Sequence, residues 1–314
     1  MIGFYDNVVL RLWGDYEVTP YLDNVTQIES PKWGYMVVGG KDGLKVVQNE
    51  RGLKIMGSLA KFLNDGSNIV PLEINSMQEA LEKLNDGLHL DFSVAQVSSV
   101  EFGTQFLMKE AVSAYLCRLG FLARFTRSTL SEGNLESLYY QPTPKQSPKP
   151  TTKPKQPNRS LKFYDKGQEA RLKGMKLPDQ WCHLLKYELT LRRQYTKLIV
   201  PNAADLCDKE NYRRLALLWR DLYYKIEKQK TPIMNEVGKK LTSKTFYGLL
   251  SSFAIGQLDK DFVLGFIENA KAMGMERKEL YRLKQLVKKA TSDSVSDELM
   301  RELDDCVDNA VAYL

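Results

Sequence analysis

Histidine and cysteine are scarce in this chain, with two and four copies among 314 residues. Cys117, Cys182, Cys207 and Cys306 stand far apart with no CxxC pair. That spacing excludes the usual zinc cage and a disulfide framework, and reduced thiols in a reducing compartment are expected. Long apolar runs are missing as well. Stretches such as Val8-Val9-Leu10 and Leu198-Ile199-Val200 fall far short of the about 20 residues a membrane helix needs. Acidic Asp6 stands where a signal peptide would carry positive charge, so a soluble, cytoplasmic protein without a membrane partner is expected. No GxxxxGK[ST], GxSxG, HExxH or GxGxxG motif occurs. Their absence removes support from nucleotide-dependent and common hydrolytic mechanisms, and it excludes a fused Walker-type helicase.

What is present suits a globular fold. A hydrophobic content of 43% over this length supports one large domain or two modest ones with a sizeable core. The net charge of +6 is compatible with a polyanionic partner, but many basic proteins never touch nucleic acid, so the placement of the charge matters more.

The first part reads as mixed strands and helices. Phe4 to Trp13 is apolar and β-branched enough for a strand, and Tyr35 to Val38, Leu44 to Val47 and Leu53 to Met56 predict a meander punctuated by glycine turns. Met77, Ala80, Leu81, Leu84 and Leu88 recur at helical spacing, with Ser76 placed as N-cap and Glu79 as its capping-box partner. A strand is expected over Val94 to Phe106, then a helix from Lys109 to Leu119 ended by Gly120. Further strands are expected at Phe121 to Thr126, Leu135 to Tyr140, Leu161 to Lys166 and His183 to Arg193. The fold class is α+β: a central antiparallel sheet with helices packed on one face, followed by an all-helical C-terminal region. Helical spacing marks Asn211 to Lys228, Ser243 to Leu250, Lys260 to Ala272, Arg277 to Ala290 and Ser296 to Tyr313. The expected division is a domain over 1–200 and a helical one over 201–314. Tyr212-Arg213-Arg214 through Tyr223-Tyr224-Lys225 reads either as a nucleic-acid face or as aromatic core at helical spacing.

Residues 141–159 break the pattern with six prolines, four lysines, one arginine and no acid. Such a stretch cannot bury a core. It reads as a solvated loop between strands, as a basic arm along phosphates, or as both. Lys145, Lys149, Lys153, Lys155 and Arg159 are its candidate DNA contacts, and Arg192 on the polar side of a later strand joins them.

Chemistry is carried by polar residues on strands otherwise patterned as core. Tyr164 and Lys166 lie two apart, hence on one face of an extended segment. A phenol titrates near 10, so as a nucleophile it needs a cation or metal nearby, and a lysine can also offset charge developing on a phosphate. Glu188 and Glu101 supply carboxylates for a hard divalent ion such as Mg²⁺ or Mn²⁺. The same pattern also describes a packed tyrosine with a snorkelling lysine and a glutamate paired to Lys186 or Arg192. Pattern alone leaves both readings open.

The order and wording of these segments resemble a family. Asp6-Asn7-Val8-Val9-Leu10-Arg11-Leu12, Gly57-Ser58-Leu59-Ala60-Lys61-Phe62, Val97 to Phe106, Leu161-Lys162-Phe163-Tyr164-Asp165-Lys166-Gly167-Gln168-Glu169 and Leu185-Lys186-Tyr187-Glu188-Leu189-Thr190-Leu191-Arg192 are similar to replication initiators grouped with the filamentous-phage gene II and gene X proteins. More distantly they resemble the Rep proteins of rolling-circle plasmids. The resemblance covers roughly residues 1–200 and implies a Rep nuclease-like fold. It implies a metal-dependent tyrosine nickase-ligase that initiates rolling-circle replication of a phage or mobile element through a 5′-phosphotyrosine link. Tyr164 takes the nucleophile's place, Lys166 the adjoining basic one, and Glu101 and Glu188 the metal neighbours. Relatives usually read Arg-Ile-Asp where this chain has Ser99-Val100-Glu101, so the metal role of Glu101 rests on a longer side chain. No histidine-hydrophobe-histidine pair exists, which excludes the standard metal centre of the HUH nickases. His89 is either a lone ligand or a core or helix-end histidine, and Tyr139 and Tyr140 compete for the nucleophile's role.

The implied partner is single-stranded or extruded origin DNA, with binding of the origin duplex, contact with a host helicase or support of a dimer as roles for the helical region. A non-catalytic DNA-binding initiator and a conjugative relaxase-like protein are the rival readings. A pure binding module needs no metal ion, which separates it from the other two.

Overall fold

The computed structural model describes residues 3–31, 34–69, 71–132, 135–143, 157–178, 181–228, 260–292 and 298–312. In chain order its first half holds β1 (Tyr5–Trp13), β2 (Asp23–Ser30), β3 (Gly34–Lys41), β4 (Leu44–Asn49), β5 (Gly52–Ser58), α1 (Leu59–Leu63), α2 (Ile74–Leu88) and β6 (Gln96–Leu107). Then come α3 (Val112–Leu116), β7 (Leu119–Leu122), β8 (Phe125–Glu132), β9 (Leu135–Pro142), β10 (Arg159–Asp165), α4 (Lys166–Leu172) and β11 (Leu184–Arg192). The remainder holds α5 (Gln194–Ile199), α6 (Lys209–Tyr224), β12 (Ile226–Lys228), α7 (Lys260–Ala272), α8 (Arg277–Ser292) and α9 (Glu298–Val311). No helix among the described residues is long and apolar enough to cross a membrane.

Ten strands form one sheet in the order β2-β3-β4-β5-β1-β6-β11-β10-β9-β8, antiparallel at every pairing. Short links explain most of the order. β2 to β5 and β8 to β9 run as hairpins, and the β3–β4 turn uses Asp42 and Gly43 at φ 47 and 84, the positive values a tight two-residue hairpin demands. β1, β6 and β11 come together from distant parts of the sequence and form the centre. There Gly103 is required by closeness: a Cβ on it would lie 2.1 Å from the Tyr187 carbonyl oxygen.

Alternation gives the sheet two unlike faces. Val8, Leu10 and Leu12 of β1, Phe102 of β6, Phe163 of β10 and Leu185, Tyr187, Leu189 and Leu191 of β11 are buried on one. α2 and α6 add Met77, Leu84, Tyr212, Leu215 and Trp219 to the same core. Aromatic stacking runs through it, from Phe163 to Tyr187 at 4.2 Å and from Tyr187 to Trp219 at 4.7 Å. Trp219 and Tyr187 also exchange hydrogen bonds, the indole N–H donating to the Tyr187 carbonyl at 3.3 Å and the phenol to the Trp219 carbonyl at 2.9 Å. α9 packs on this assembly, with Asp304 accepting from the Tyr223 hydroxyl at 2.6 Å. The α+β sheet with helices on one face is therefore as expected. The aromatic positions of α6 serve as core, since Tyr212, Trp219 and Tyr223 are buried.

Local boundaries differ where tertiary partners override local pattern. β2 goes beyond the strands expected from sequence, since its row is mostly exposed and offers no apolar alternation. The helix expected over Lys109 to Leu119 is only the five residues of α3, because Leu119 and Gly120 enter β7, which pairs with β12 more than a hundred residues away. The last residues of the expected Asn211 to Lys228 helix form that partner strand. α2 starts before Ser76: Ile74 is buried and Met77 N–H donates to the Glu73 carbonyl at 2.9 Å, so Ser76 lies inside the helix. Ser243 to Leu250 lies outside the described residues.

Candidate functional site

The second face of the sheet is polar and partly open. Ser160, Lys162 and Tyr164 of β10, Glu188, Thr190 and Arg192 of β11 and Glu101 of β6 line a cavity of about 580 Å³, with Asp6 and Asn7 of β1 at its floor. Register sets this convergence. β11 places Lys186 opposite Tyr164, and Glu188 opposite Lys162; on its other side Thr190 pairs with Glu101.

At the centre is a buried chain of charges. Lys186 is fully buried, and its ammonium donates to Asp6 Oδ2 and lies 2.8 Å from Glu188 Oε1. Ser58, the N-cap of α1, donates to Asp6 Oδ1 at 2.6 Å. The Tyr164 hydroxyl donates to Glu188 Oε1 at 3.2 Å. Asn7 donates through its side-chain amide to Glu101 Oε2. Isolated charges this deep would be prohibitive, and only pairing with good geometry makes them tolerable.

The titration behaviour follows from this packing. Burial alone would raise Asp6, but the attraction and hydrogen bond of Lys186 outweigh it and hold the carboxyl below its ordinary value. Burial would lower Lys186, and the carboxylates of Glu188 and Asp6 reverse that, raising it. Tyr164, 3% exposed, is pushed well above the ordinary phenol value by burial first and then by the fields of Glu188, Glu169 and Asp6. It is a neutral phenol whose hydroxyl donates to Glu188. Glu101 is raised by burial and next by the Glu188 charge, with the Asn7 amide acting against them.

The lysines are placed differently from the sequence expectation. Lys166 is the first residue of α4 rather than part of the strand. Asp165 caps that helix, accepting from Gln168 N–H at 2.7 Å, which turns the chain before Lys166. The Lys166 ammonium donates to Glu169 Oε2 at 2.7 Å and to Asn68 Oδ1 at 3.2 Å. Lys162, instead, has its ammonium 4.0 Å from the centroid of the Tyr164 ring and 5.5 Å from that of Tyr139. Glu169 bridges Lys166 and Lys173; burial opposes its ionisation, and the two lysines still bring it down to about 2.

Of the competing tyrosines, Tyr140 faces the core and donates to the Gly120 carbonyl at 2.8 Å, while Tyr139 lines the cavity. His89 caps the C-terminal end of α2 at φ 53 and meets the Tyr21 ring edge-on at 4.7 Å, a helix-end histidine. Arg192 lines the cavity and donates to the Pro157 carbonyl at 3.3 Å. Arg159 is held between the rings of Phe125 and Tyr195, at 5.0 and 5.1 Å. Lys145, Lys149, Lys153 and Lys155 lie outside the described residues. Sequence reasoning gives no site role to Asp6, Asn7, Ser58, Asn68, Lys162, Glu169 or Lys186. Several of them stand in the very segments that carry the family resemblance, which is the signal that could have found them.

The donors of this cavity suit a hard divalent ion. Glu101 and Glu188 repel each other, a conflict a cation relieves, whereas Asp6 is already matched by Lys186 and Ser58. Among the described residues no three His, Cys, Asp or Glu side chains group closely enough to cage a metal, so an ion here would keep several waters, as Mg²⁺ commonly does.

The protein is thus an α+β one, a wide antiparallel sheet with a helix-covered core and a tyrosine set among carboxylates and ammonium groups on its polar face. The family described as the N-terminal region of the gene II replication-associated protein matches residues 17–204, more than half of the chain. The chain belongs to this family of filamentous-phage gene II relatives and is a phage replication-associated initiator protein, a role that implies DNA binding. Glu101, Tyr164, Lys186 and Glu188 fall inside the matched span, and Asp6 and Asn7 precede it. No curated protein matches the chain.

Proposed function

We propose that the protein is a metal-dependent tyrosine nickase-ligase that initiates rolling-circle replication by cutting one DNA strand at its origin. The observation that carries this reading is the Tyr164 hydroxyl donating to Glu188 at 3.2 Å inside an open polar cavity. Tyr164 attacks the scissile phosphorus as its proton passes to Glu188. The phenolic O–P bond forms, the P–O3′ bond breaks, and the departing oxygen takes up a proton to leave a 3′-hydroxyl primer beside a 5′-phosphotyrosine. Protonation of Tyr164 at neutral pH makes such a base necessary, because few phenolates are present to attack.

Lys186 holds Glu188 in place through their ion pair, and is itself held by Asp6. Lys162, beside the tyrosine ring, offsets charge on the phosphate, while Lys166 acts more remotely through Asn68 and Glu169. Glu101, with the Asn7 amide and the outer oxygen of Glu188, would hold Mg²⁺ or Mn²⁺, which supplies Lewis-acid polarisation of the phosphate. Arg192 and the lysines of the 141–159 loop hold the strand, and we assign catalysis to residues 1–200 and partner contacts to 201–314.

Labelled single-stranded oligonucleotides tiled across the element's own origin, incubated with Mn²⁺ or EDTA and run on a denaturing gel, test this. A metal-dependent covalent adduct lost in Tyr164→Phe is expected. An adduct that survives that change moves the nucleophile to Tyr139, and tight binding with no adduct overturns the catalytic reading.

A further inference from the structure

The polar face continues beyond the tyrosine cavity. A groove of about 680 Å³ shares Asn7, Glu101 and Arg192 with that cavity and runs to Arg11, Trp13 and Lys54 at the far end of β1 and β5. The cations there are arranged against local stability. Arg11 of β1 stands directly opposite Lys54 of β5, and like charges in facing positions repel. Burial and then the charges of Arg11 and Lys45 lower Lys54, and no ion pair to a carboxylate relieves this group among the described residues. Next to it Trp13 is 58% exposed, with the Arg11 guanidinium 5.8 Å from its ring centroid. An exposed indole beside crowded cations is suited to one kind of ligand.

We infer that this end of the sheet is a docking track for the single-stranded arm of the DNA substrate, with a base stacked on Trp13 and backbone phosphates on Arg11 and Lys54. The inference rests on the proposed function, since it takes the strand to be engaged at Tyr164. Paired cations call for a polyanion, and an exposed indole calls for a base removed from its stack. A duplex offers the phosphates but keeps its base faces covered, whereas a single strand offers both. Arg193 and Lys197, exposed along the same groove, supply further positive charge between the two ends. From Glu101, five residues along β6 to Gln96 and two more from its partner Arg11 to Trp13 span about 23 Å at about 3.3 Å per residue. That is about seven nucleotides at the 3.4 Å stacked spacing.

The full-length protein is tested with fluorescent single strands bearing either about three or about ten nucleotides beyond the scissile position, on each side in turn. Binding is read by anisotropy and cutting by gel. Trp13→Ala is expected to weaken the long-armed strand on one side about tenfold and to leave cutting of the short one unchanged, and Trp13→Phe should restore most of the affinity. The Arg11→Gln/Lys54→Gln double variant should reduce the slope of log affinity against log salt by about 1.4. Equal effects on long and short strands, or none on either, overturn the track; equal loss for duplex and single strand overturns its single-stranded assignment. If wild-type protein cuts neither strand, the proposed function fails, and anisotropy still decides whether Trp13 reads the arm.

Discussion

Replacing Lys186 with methionine isolates what the buried charges do. Methionine keeps roughly the length of the aliphatic stem and removes the ammonium, so Asp6 and Glu188, 2% and 7% exposed, lose the cation that both contact. Removing one partner of a buried ion pair costs about 3 to 5 kcal/mol, against a total stability of about 5 to 15 kcal/mol for a protein domain. Urea unfolding in EDTA at pH 7 should therefore show a loss of about a fifth of the stability or more. The pH dependence sharpens the test. In the wild type Asp6 is depressed, so its contribution is present above the unfolded carboxyl value near 3.8 and is lost as pH falls through the lower folded value. In the variant burial acts without opposition and raises Asp6, so the penalty is full above the raised value and shrinks as pH falls toward the unfolded one. The deficit relative to wild type should consequently be smaller at pH 4.5 than at pH 7, and Asp6→Asn combined with Lys186→Met should recover part of it. A deficit below about 1 kcal/mol at pH 7, or one that stays constant on acidification, refutes the reasoning that Lys186 compensates these carboxylates.

Two further outcomes follow from the core and the acidic pair. Trp219→Ala removes the ring that stacks on Tyr187 and joins α6 to the sheet, and should cost about 3 to 5 kcal/mol in urea unfolding; a loss under about 1 kcal/mol would show that α6 is dispensable to the core. Glu101→Gln retains the shape and an acceptor for Asn7 while ending the repulsion from Glu188, so stability in EDTA should hold or rise slightly. Wild type should gain about 2.7 kcal/mol from Mn²⁺ at a hundredfold excess over its Kd, and the variant should lose that gain; retention of the full gain would place the ion elsewhere.

How far the sequence disclosed the site depends on how local each signal is. β11 was legible because Leu185, Tyr187, Leu189 and Leu191 alternate with polar residues, and period-two patterning is a property of a single strand. Its other half reads as polar, with Glu188 open either to a metal role or to pairing with Lys186 or Arg192, yet Lys186 is fully buried, because Asp6 of β1 and α4 pack on that side, and the strand itself encodes neither. Tyr164 and Glu188 were proposed through a resemblance of wording, and the register of β10 on β11 sets them within hydrogen-bonding distance. Lys166 was misassigned to the strand for a local reason: alternation over Leu161 to Lys166 runs one residue past the point where Asp165 caps α4.

Asp6 is the hardest case and the most informative. Near the chain start, in isolation, it reads as an acidic residue that argues against a signal peptide, and the segment it opens, Asp6 to Leu12, carries the family resemblance without assigning it a role. Its role exists only because β1 is inserted between β5 and β6 in the sheet order, which brings it to Ser58 from one side and to Lys186, 180 residues later, from the other. Aligning β1 in this register buries a carboxylate that would be expelled were Lys186 absent, and buries an ammonium that would be expelled were Asp6 absent. Each charge thus makes the other's position tolerable, and the pair specifies the central register more strictly than the apolar alternation of β1 does, since Val8, Leu10 and Leu12 would accept a slip of two residues while Asp6 would not. The same constraint that fixes the fold fixes a hydrogen bond: Lys186, held by Asp6, is paired with the Glu188 oxygen that accepts from the Tyr164 hydroxyl.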